Sequence, residues 1–236
     1  MDDSAMAAGL KQKIEQYRPS AATIELVRNT PILLLVGVSG AGKGSINAKL
    51  LETDGYHHIV SHTTRRPREN DGVREQDGRE YHFIDVAEAE KMLDDGAFVE
   101  AKFYSGNVYG TSAAEIKRAN DENKVAVTDI EVQGVAEYEA IKPDIKAVFV
   151  LPPSYEIWQE RLCKRYDGNV NAADLERRMK TAKIELQEAL NKSYYRFVIN
   201  DNLAEAADIV DAIARGSDPK NDQAAKALAH EILAKL

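Results

Sequence analysis

Ile32-Leu33-Leu34-Leu35-Val36 runs without a break into Gly37-Val38-Ser39-Gly40-Ala41-Gly42-Lys43-Gly44-Ser45, and a stretch of helical character, Ile46 to Glu52, follows. An apolar run of strand length, a glycine-rich loop and a helix start make the setting in which backbone holds a phosphate. The glycines let successive N–H groups turn toward an anion, the helix N-terminus adds positive potential, and Lys43 supplies a mobile charge for β- and γ-phosphates. The loop departs from the commonest pattern at one position. Gly44 follows the lysine where a hydroxyl usually helps to order Mg2+, and the hydroxyl comes one residue later, at Ser45.

Working outward, further short apolar runs (His58 to Ser61, Val125 to Asp129, Ala147 to Leu151, Phe197 to Ile199) alternate with segments of helical period. Unbroken apolar strands separated by helices predict an α/β fold with a parallel sheet covered by helices on both faces. Between Ala173 and Leu190, apolar residues recur at Leu175, Met179, Ala182, Leu186 and Ala189, so one helix face packs and Arg178 points elsewhere. The run ending at Asp129 sets a carboxylate on the carboxyl edge of the sheet, where α/β proteins bind ligands. Strand-terminal acids are common, and it is the phosphate loop beside it that makes Asp129 a candidate for holding the hydration shell of Mg2+.

A second cationic feature is Ser61-His62-Thr63-Thr64-Arg65-Arg66-Pro67-Arg68, with no acid inside it. Arginine forks suit bidentate binding of phosphate. The same stretch also reads as a solvated turn paired with the acids of the next loop, Glu69, Asp71, Glu75, Asp77 and Glu80. From Ser61 to Thr111 the rhythm changes to aromatic, alternating pieces (Tyr81 to Ile84, Phe98 to Tyr104), which predicts a small mixed or antiparallel insertion. Two anion sites, one for a donor triphosphate and one for an acceptor phosphate, are the minimum apparatus of a nucleotide kinase.

The whole chain, 236 residues with 44% hydrophobic and 30% charged side chains, is long enough for a sizeable core without staples and is neither collagenous nor wholly disordered. Lys and Arg number 31 against 39 Asp and Glu, and the resulting charge of -8 argues against non-specific binding to nucleic acid or to an anionic membrane. The apolar run Ile32 to Val38 is far short of the roughly 20 residues of a membrane helix. With its acidic start (Met1, Asp2, Asp3) and its lone Cys163, the chain reads as cytoplasmic. Cys163, beside Leu162, is expected to be a small buried residue rather than a nucleophile. The five histidines have no metal-ligand spacing, and Trp158 and the Tyr194-Tyr195 pair read as core.

Before the first strand, Leu10, Ile14 and Tyr17 sit at helical spacing, Pro19 stops the pattern, and Ser20 can cap a second short helix ending near Pro31. Beyond a break at Gly216 to Pro219, Ala225, Leu228, Ala229, Ile232 and Leu236 form a helical stripe. Packing or dimerisation is expected of both extensions.

Taken together, these stretches resemble the guanylate kinases, nucleoside monophosphate kinases of the P-loop class. The resemblance rests on the loop Gly37 to Lys43; on Ser61 to Arg68 followed by Tyr81-His82-Phe83; on Phe98-Val99-Glu100 and Gly106-Asn107-Val108-Tyr109-Gly110-Thr111; on Asp129-Ile130-Glu131-Val132-Gln133-Gly134; on Pro152-Pro153-Ser154; and on Val198-Ile199-Asn200-Asp201. They run in family order over roughly three-quarters of the chain. The resemblance implies a P-loop core (31–60, 112–152, 191–215), a GMP-binding insertion (61–111) and a helical lid (153–190), to which the helical spacing adds an N-terminal helical extension (1–30) and a C-terminal helix (216–236).

By the same resemblance, Gly37, Ser39, Gly40, Ala41, Gly42, Lys43, Gly44, Ser45 and Asn200 would bind ATP. Ser61, Arg65, Arg68, Tyr81 and Tyr109 would hold the phosphate of GMP, and Glu100, Thr111 and Glu131 its guanine. Guanine presents N1–H and its 2-amino group side by side, and a carboxylate at Glu100 can accept both. Adenine would leave that carboxylate unpaired, a mismatch that can cost about 10⁴-fold in selectivity. Lys43 and the lid arginines Arg161, Arg165 and Arg178 would be catalytic, since a well-placed arginine can be worth about 10³ to 10⁵ in rate. Ser45 and Asp129 would hold Mg2+, through water. Asn200 also precedes a capping pattern, Asn202 to Glu205, so a structural turn is the lesser alternative reading.

The expected reaction is ATP-dependent phosphorylation of GMP, and of dGMP, by a monomer or homodimer. Two alternatives keep the fold: a phosphopeptide-binding module without activity, and a kinase with another acceptor. The sequence departs from the family pattern in an Arg68-to-Tyr81 stretch about four residues longer than usual, in one extra residue between Phe103 and Tyr109, in Glu131 for Asp, in Thr111 for Ser and in Tyr166 for Gly.

Overall fold

The computed structural model describes residues 3–70, 72–165, 172–217 and 222–236, without the side chains of residues 3–8, 70, 165, 172 and 173. The turn expected over Tyr166 to Asn171, and Asp218 and Pro219 of the expected break, lie outside these residues. Internal contacts divide the chain into two compact units, one of residues 32–56, 127–139 and 143–236 and one of residues 1–31, 57–126 and 140–142.

A five-stranded sheet of order β11-β10-β1-β9-β2, most of it in the first unit, is made of β1 (Ile32–Val36), β2 (Tyr56–His58), β9 (Val125–Asp129), β10 (Lys146–Leu151) and β11 (Tyr195–Ile199). β1 pairs in parallel with β10, and β10 in parallel with β11. Every residue of β1 is buried, as are Ala147 to Leu151 of β10. Such near-continuous apolar runs are what a strand covered on both faces requires. The helices are α3 (Lys43–Leu51), α6 (Val132–Ile141), α7 (Tyr155–Arg165), α8 (Ala172–Leu190), α9 (Leu203–Ala214) and α10 (Asp222–Ala234).

Asn202 caps α9 as its sequence suggests, accepting the Ala204 and Glu205 N–H groups. On α8 the predicted stripe is buried at Ala182, Leu186 and Ala189, while Leu175 and Met179 are half-buried. The C-terminal stripe buries Ala225, Ala229 and Ile232 as α10 packs on α8 and β11, and Asp222 accepts the Phe197 N–H at 2.8 Å. Trp158 and Tyr195 are core, as expected. Cys163 is not: it is exposed, because the adjacent Leu162 takes the buried position and consecutive helix residues point about 100° apart.

The second unit holds α1 (Asp3–Glu15), α2 (Ala21–Asn29), α4 (Val86–Asp94), α5 (Ala113–Asp121) and the strands β3 (His62–Thr63), β4 (Glu69–Asn70), β5 (Val73–Arg74), β6 (His82–Phe83), β7 (Phe98–Tyr104) and β8 (Asn107–Ser112). Four of them form a mixed sheet of order β6-β3-β8-β7, with β3 parallel to β6 and antiparallel to β8. β4 and β5 make a separate two-stranded hairpin.

Leu10 packs with Ala89, Leu93, Phe98, Ala101 and Val108, flanked by Ile14 and Tyr17, so the N-terminal helix belongs to this unit's core. Ser20 caps α2 by accepting the Thr23 N–H. The strand expected at His58 to Ser61 lies earlier, at Tyr56–His58. The Val60 N–H is taken instead by the buried Glu115 carboxylate at 2.9 Å, a side-chain partner that replaces a strand neighbour.

Candidate active site

In the first unit, the loop leaving β1 is held from behind by side chains distant in sequence. Gly37 has φ 137°, and a Cβ there would lie 2.3 Å from the Val150 carbonyl oxygen, so only glycine lets β1 turn away beside β10. Gly42, with φ 96°, caps α3, and a Cβ on it would meet the Asn200 amide nitrogen at 2.1 Å. The Asn200 Nδ2, buried, donates to the Ala41 carbonyl at 2.8 Å. Trp158 Nε1 donates to the Ser39 carbonyl at 2.7 Å, and the Lys43 ammonium donates to the Gly37 carbonyl. With the carbonyls of residues 37, 39 and 41 each engaged, the loop is fixed as a shape that offers N–H groups to an anion.

Of the three predicted lid arginines, one reaches this loop and a second reaches the residue that backs it. Arg178 Nη1 on α8 donates to the Ser39 hydroxyl at 3.1 Å, and Arg161 Nη2 on α7 donates to the Asn200 carbonyl at 3.1 Å. Arg178 is therefore half-buried against the loop rather than turned away from the packing face. Arg165 ends α7, and its side chain lies outside the described residues.

Seven residues beyond Arg178 on the same helix face stands Glu185, which no motif marks. Burial pushes its carboxyl up to about 7; the Lys43 ammonium opposes this, and Glu131 and Glu188 add to it. The heptad spacing from Arg178 was the available signal, but it reads as one more charge on a helix surface.

Gly40 and Gly44 complete the loop, the latter with open space where a Cβ would stand. Ser45, in the first turn of α3, and Asp129, at the carboxyl end of β9, are both exposed. They offer hard oxygen donors of the kind Mg2+ takes. Among the described residues no group of three His, Cys, Asp or Glu could enclose a metal. These donors therefore fit an ion that brings most of its own shell, as Mg2+ does on nucleotide phosphates.

In the second unit the predicted acceptor residues fall into two clusters. The Arg65 guanidinium lies 5.3 Å over the Tyr81 ring, which meets the Tyr109 ring edge-on at 5.9 Å. Arg65 also forms a bidentate pair with Glu75, so one of the acids suspected of pairing with the basic stretch does so. Arg68 is exposed, and its N–H is bound by the same carboxylate at 2.7 Å. Ser61 is half-buried where its carbonyl accepts the His82 N–H.

The other cluster is Glu100 with Thr111. The register of β7 on β8 shifts between Phe98 and Glu100, which sets Glu100 opposite Thr111. Glu100 is 7% exposed, and its Oε1 accepts both the backbone N–H and the hydroxyl of Thr111, each at 3.0 Å. A buried carboxylate anchored by one oxygen is suited to reading a pair of donors on a planar base. Gly110 permits this approach, since a Cβ there would lie 2.6 Å from the Glu100 carbonyl. Glu131, grouped with these two by resemblance, belongs to the first unit and is exposed just before α6.

The sequence profile of the guanylate kinases matches residues 29–215, which contain every candidate residue above. The chain belongs to the guanylate kinase family. The guanylate kinase of Schizosaccharomyces pombe is 34% identical over 196 residues, 82% of this chain and 94% of the yeast protein. Guanylate kinase 1 of Oryza sativa subsp. japonica is 35% identical over 72% of this chain, and that match spans only 44% of the rice protein. The crystal structure of a guanylate kinase from Anaplasma phagocytophilum superposes with a TM-score of 0.56 over 80% of this chain and 87% of its own, at 24% identity, and supports the fold. Relative to the guanylate kinase profile, α1 and α10 lie outside the matched segment.

Proposed function

We propose that the chain transfers the γ-phosphoryl group of ATP to GMP, giving ADP and GDP, and accepts dGMP as well. The observation that carries this reading is the intact phosphate loop, with Lys43 in place, its carbonyls tied back and Arg178 on Ser39. A module that only bound a phosphorylated peptide would have no use for a donor site of this kind.

In this reading the loop N–H groups and Lys43 bind the β- and γ-phosphates, and Arg178 and Arg161 stabilise the charge that spreads over the phosphoryl in flight. Arg65, Arg68, Tyr81, Tyr109 and Ser61 hold the acceptor phosphate, and Glu100 with Thr111 takes the N1–H and 2-amino group of guanine. By the resemblance Glu131 would contribute to base recognition. Asn200, by way of Ala41, keeps the loop in shape beneath the nucleotide. Ser45 and Asp129 would hold Mg2+ through water, and the ion would supply positive charge to offset that of the triphosphate. Transfer requires donor and acceptor phosphates in line with water excluded, which gives helices α7 and α8 the role of a lid. The acidic charge and lone cysteine favour the cytoplasm as the place of action.

The test is ADP release with MgATP and each of GMP, dGMP, AMP, CMP and UMP. Turnover with GMP, and more weakly dGMP, is expected; turnover with another base would keep the kinase and remove the Glu100 assignment. No turnover by folded protein would favour the binding module. Lys43→Ala should lower kcat by about 10²-fold or more while GMP binding persists, and wild-type turnover in this variant would sink the donor-site assignment.

A further inference from the structure

Arg65 is held by several partners in the acceptor unit. Its Nη1 donates to Glu75 Oε2 at 2.8 Å and to the Arg66 carbonyl at 2.8 Å, and its Nη2 donates to Glu75 Oε1 at 3.0 Å. The pair is sheltered, with side chains 10% and 11% exposed, and the guanidinium lies over the rings of Tyr81 at 5.3 Å and Phe83 at 5.8 Å. Three of its five N–H groups are thereby used. The two that remain, Nε–H and the Nη2 hydrogen beside it, lie on the Nε edge and are the ones a phosphate oxygen can take.

Glu75 reaches this position because its loop folds back on itself. The hairpin of β4 and β5 is closed by a reciprocal pair: the Glu75 N–H donates to the Arg68 carbonyl at 2.9 Å, and the Arg68 N–H donates to Glu75 Oε2 at 2.7 Å. One carboxylate thus fixes the guanidinium of Arg65 and the backbone of Arg68, the two arginines assigned to the acceptor phosphate. The Arg65 partnership holds the Glu75 carboxyl below its ordinary value, so it stays ionised.

We infer that Glu75 is a positioning residue for the acceptor phosphate, holding Arg65 by its Nη edge so that its Nε side is presented to the phosphate, and anchoring Arg68 alongside. An arginine stem free to rotate would surrender rotamer entropy at each binding event; clamped and stacked, it has already done so. The carboxylate serves the acceptor phosphate without touching it. This inference rests on the proposed GMP site.

The experiment compares wild type, Glu75→Gln and Glu75→Ala by calorimetric titration with GMP and with guanosine, and by steady-state kinetics in GMP and ATP. Loss of the clamp should weaken GMP binding and raise its KM by about tenfold, while guanosine binding and the KM for ATP stay within about twofold of wild type. In an Arg65→Ala background, Glu75→Ala should have a smaller effect on GMP than in wild type, because only the anchoring of Arg68 then remains to be lost. Glu75→Gln keeps the shape of the loop and one acceptor oxygen, so it reports on the clamp even if Glu75→Ala perturbs folding.

Unchanged GMP affinity in folded Glu75→Gln would overturn the inference. Tighter GMP binding would also overturn it, because the carboxylate would then be a competitor for the phosphate. Equal losses for GMP and guanosine would mark a general structural role and likewise overturn it. If wild type bound no GMP, the proposed function itself would fall, and this inference with it.

Discussion

In the proposed function one side chain, Glu100, chooses the base. It is buried, and Thr111 fixes one of its oxygens through two hydrogen bonds. Replacing it by glutamine keeps the shape but adds a donor, so the preference for GMP over AMP in kcat/KM should fall by at least about tenfold; an unchanged ratio would remove Glu100 from the base site. Glu185 offers a different test. Its carboxyl is raised from 4.5 to about 7 by burial, so the folded state holds a proton that the unfolded chain releases. The stability this contributes is present below pH 4.5, falls as pH rises, and is lost through about pH 7. In Glu185→Gln without nucleotide, urea unfolding should show a shallower decline across that window than wild type, and equal slopes would contradict the burial argument. Glu185 was illegible in the sequence because a raised carboxyl pKa arises from surroundings that only folding assembles.

At the scale of elements, the two glycines flanking Lys43 separate by their geometry. Gly42 has a positive φ and no room for a Cβ, while Gly44 sits in the first turn of α3 with open space beside it. Gly44→Ala should therefore stabilise the protein by about 0.5–1 kcal/mol through helix propensity, and Gly42→Ala should destabilise it by displacing Asn200. Thermal denaturation of both variants decides the matter, and parallel effects would refute it. β1, its loop and α3 could be placed from sequence because period and glycine spacing are local. Ser20 and Asn202 likewise announced their caps by being short polar residues ahead of helical segments. The strand expected at His58 to Ser61 could not be placed in the same way. An apolar run does not say whether its N–H groups will meet a strand or, as at Val60, a carboxylate from another element.

For the whole molecule, the terminal helices are parts of the cores rather than appendages. α1 inserts Leu10, 3% exposed, among Ala89, Leu93, Phe98, Ala101 and Val108, and the Tyr17 hydroxyl donates to the Phe98 carbonyl on the strand that carries Glu100. Burial pushes the Tyr17 phenol up to about 12. Leu10→Ala should cost about 2–5 kcal/mol, at about 2–4 °C of Tm for each kcal/mol; an unchanged Tm would show that α1 adds nothing to the core. The α/β class, the phosphate loop, the basic stretch with its candidate arginines and the family were readable in the chain alone, because each depends on spacing along a single segment. The backing of the loop by Trp158 and Asn200, the clamp of Glu75 on Arg65, the exposure of Cys163 and the raised carboxyl of Glu185 were decided by folding. Each depends on which distant side chains are brought within hydrogen-bond reach and on how much water they exclude, and neither quantity is local to the sequence.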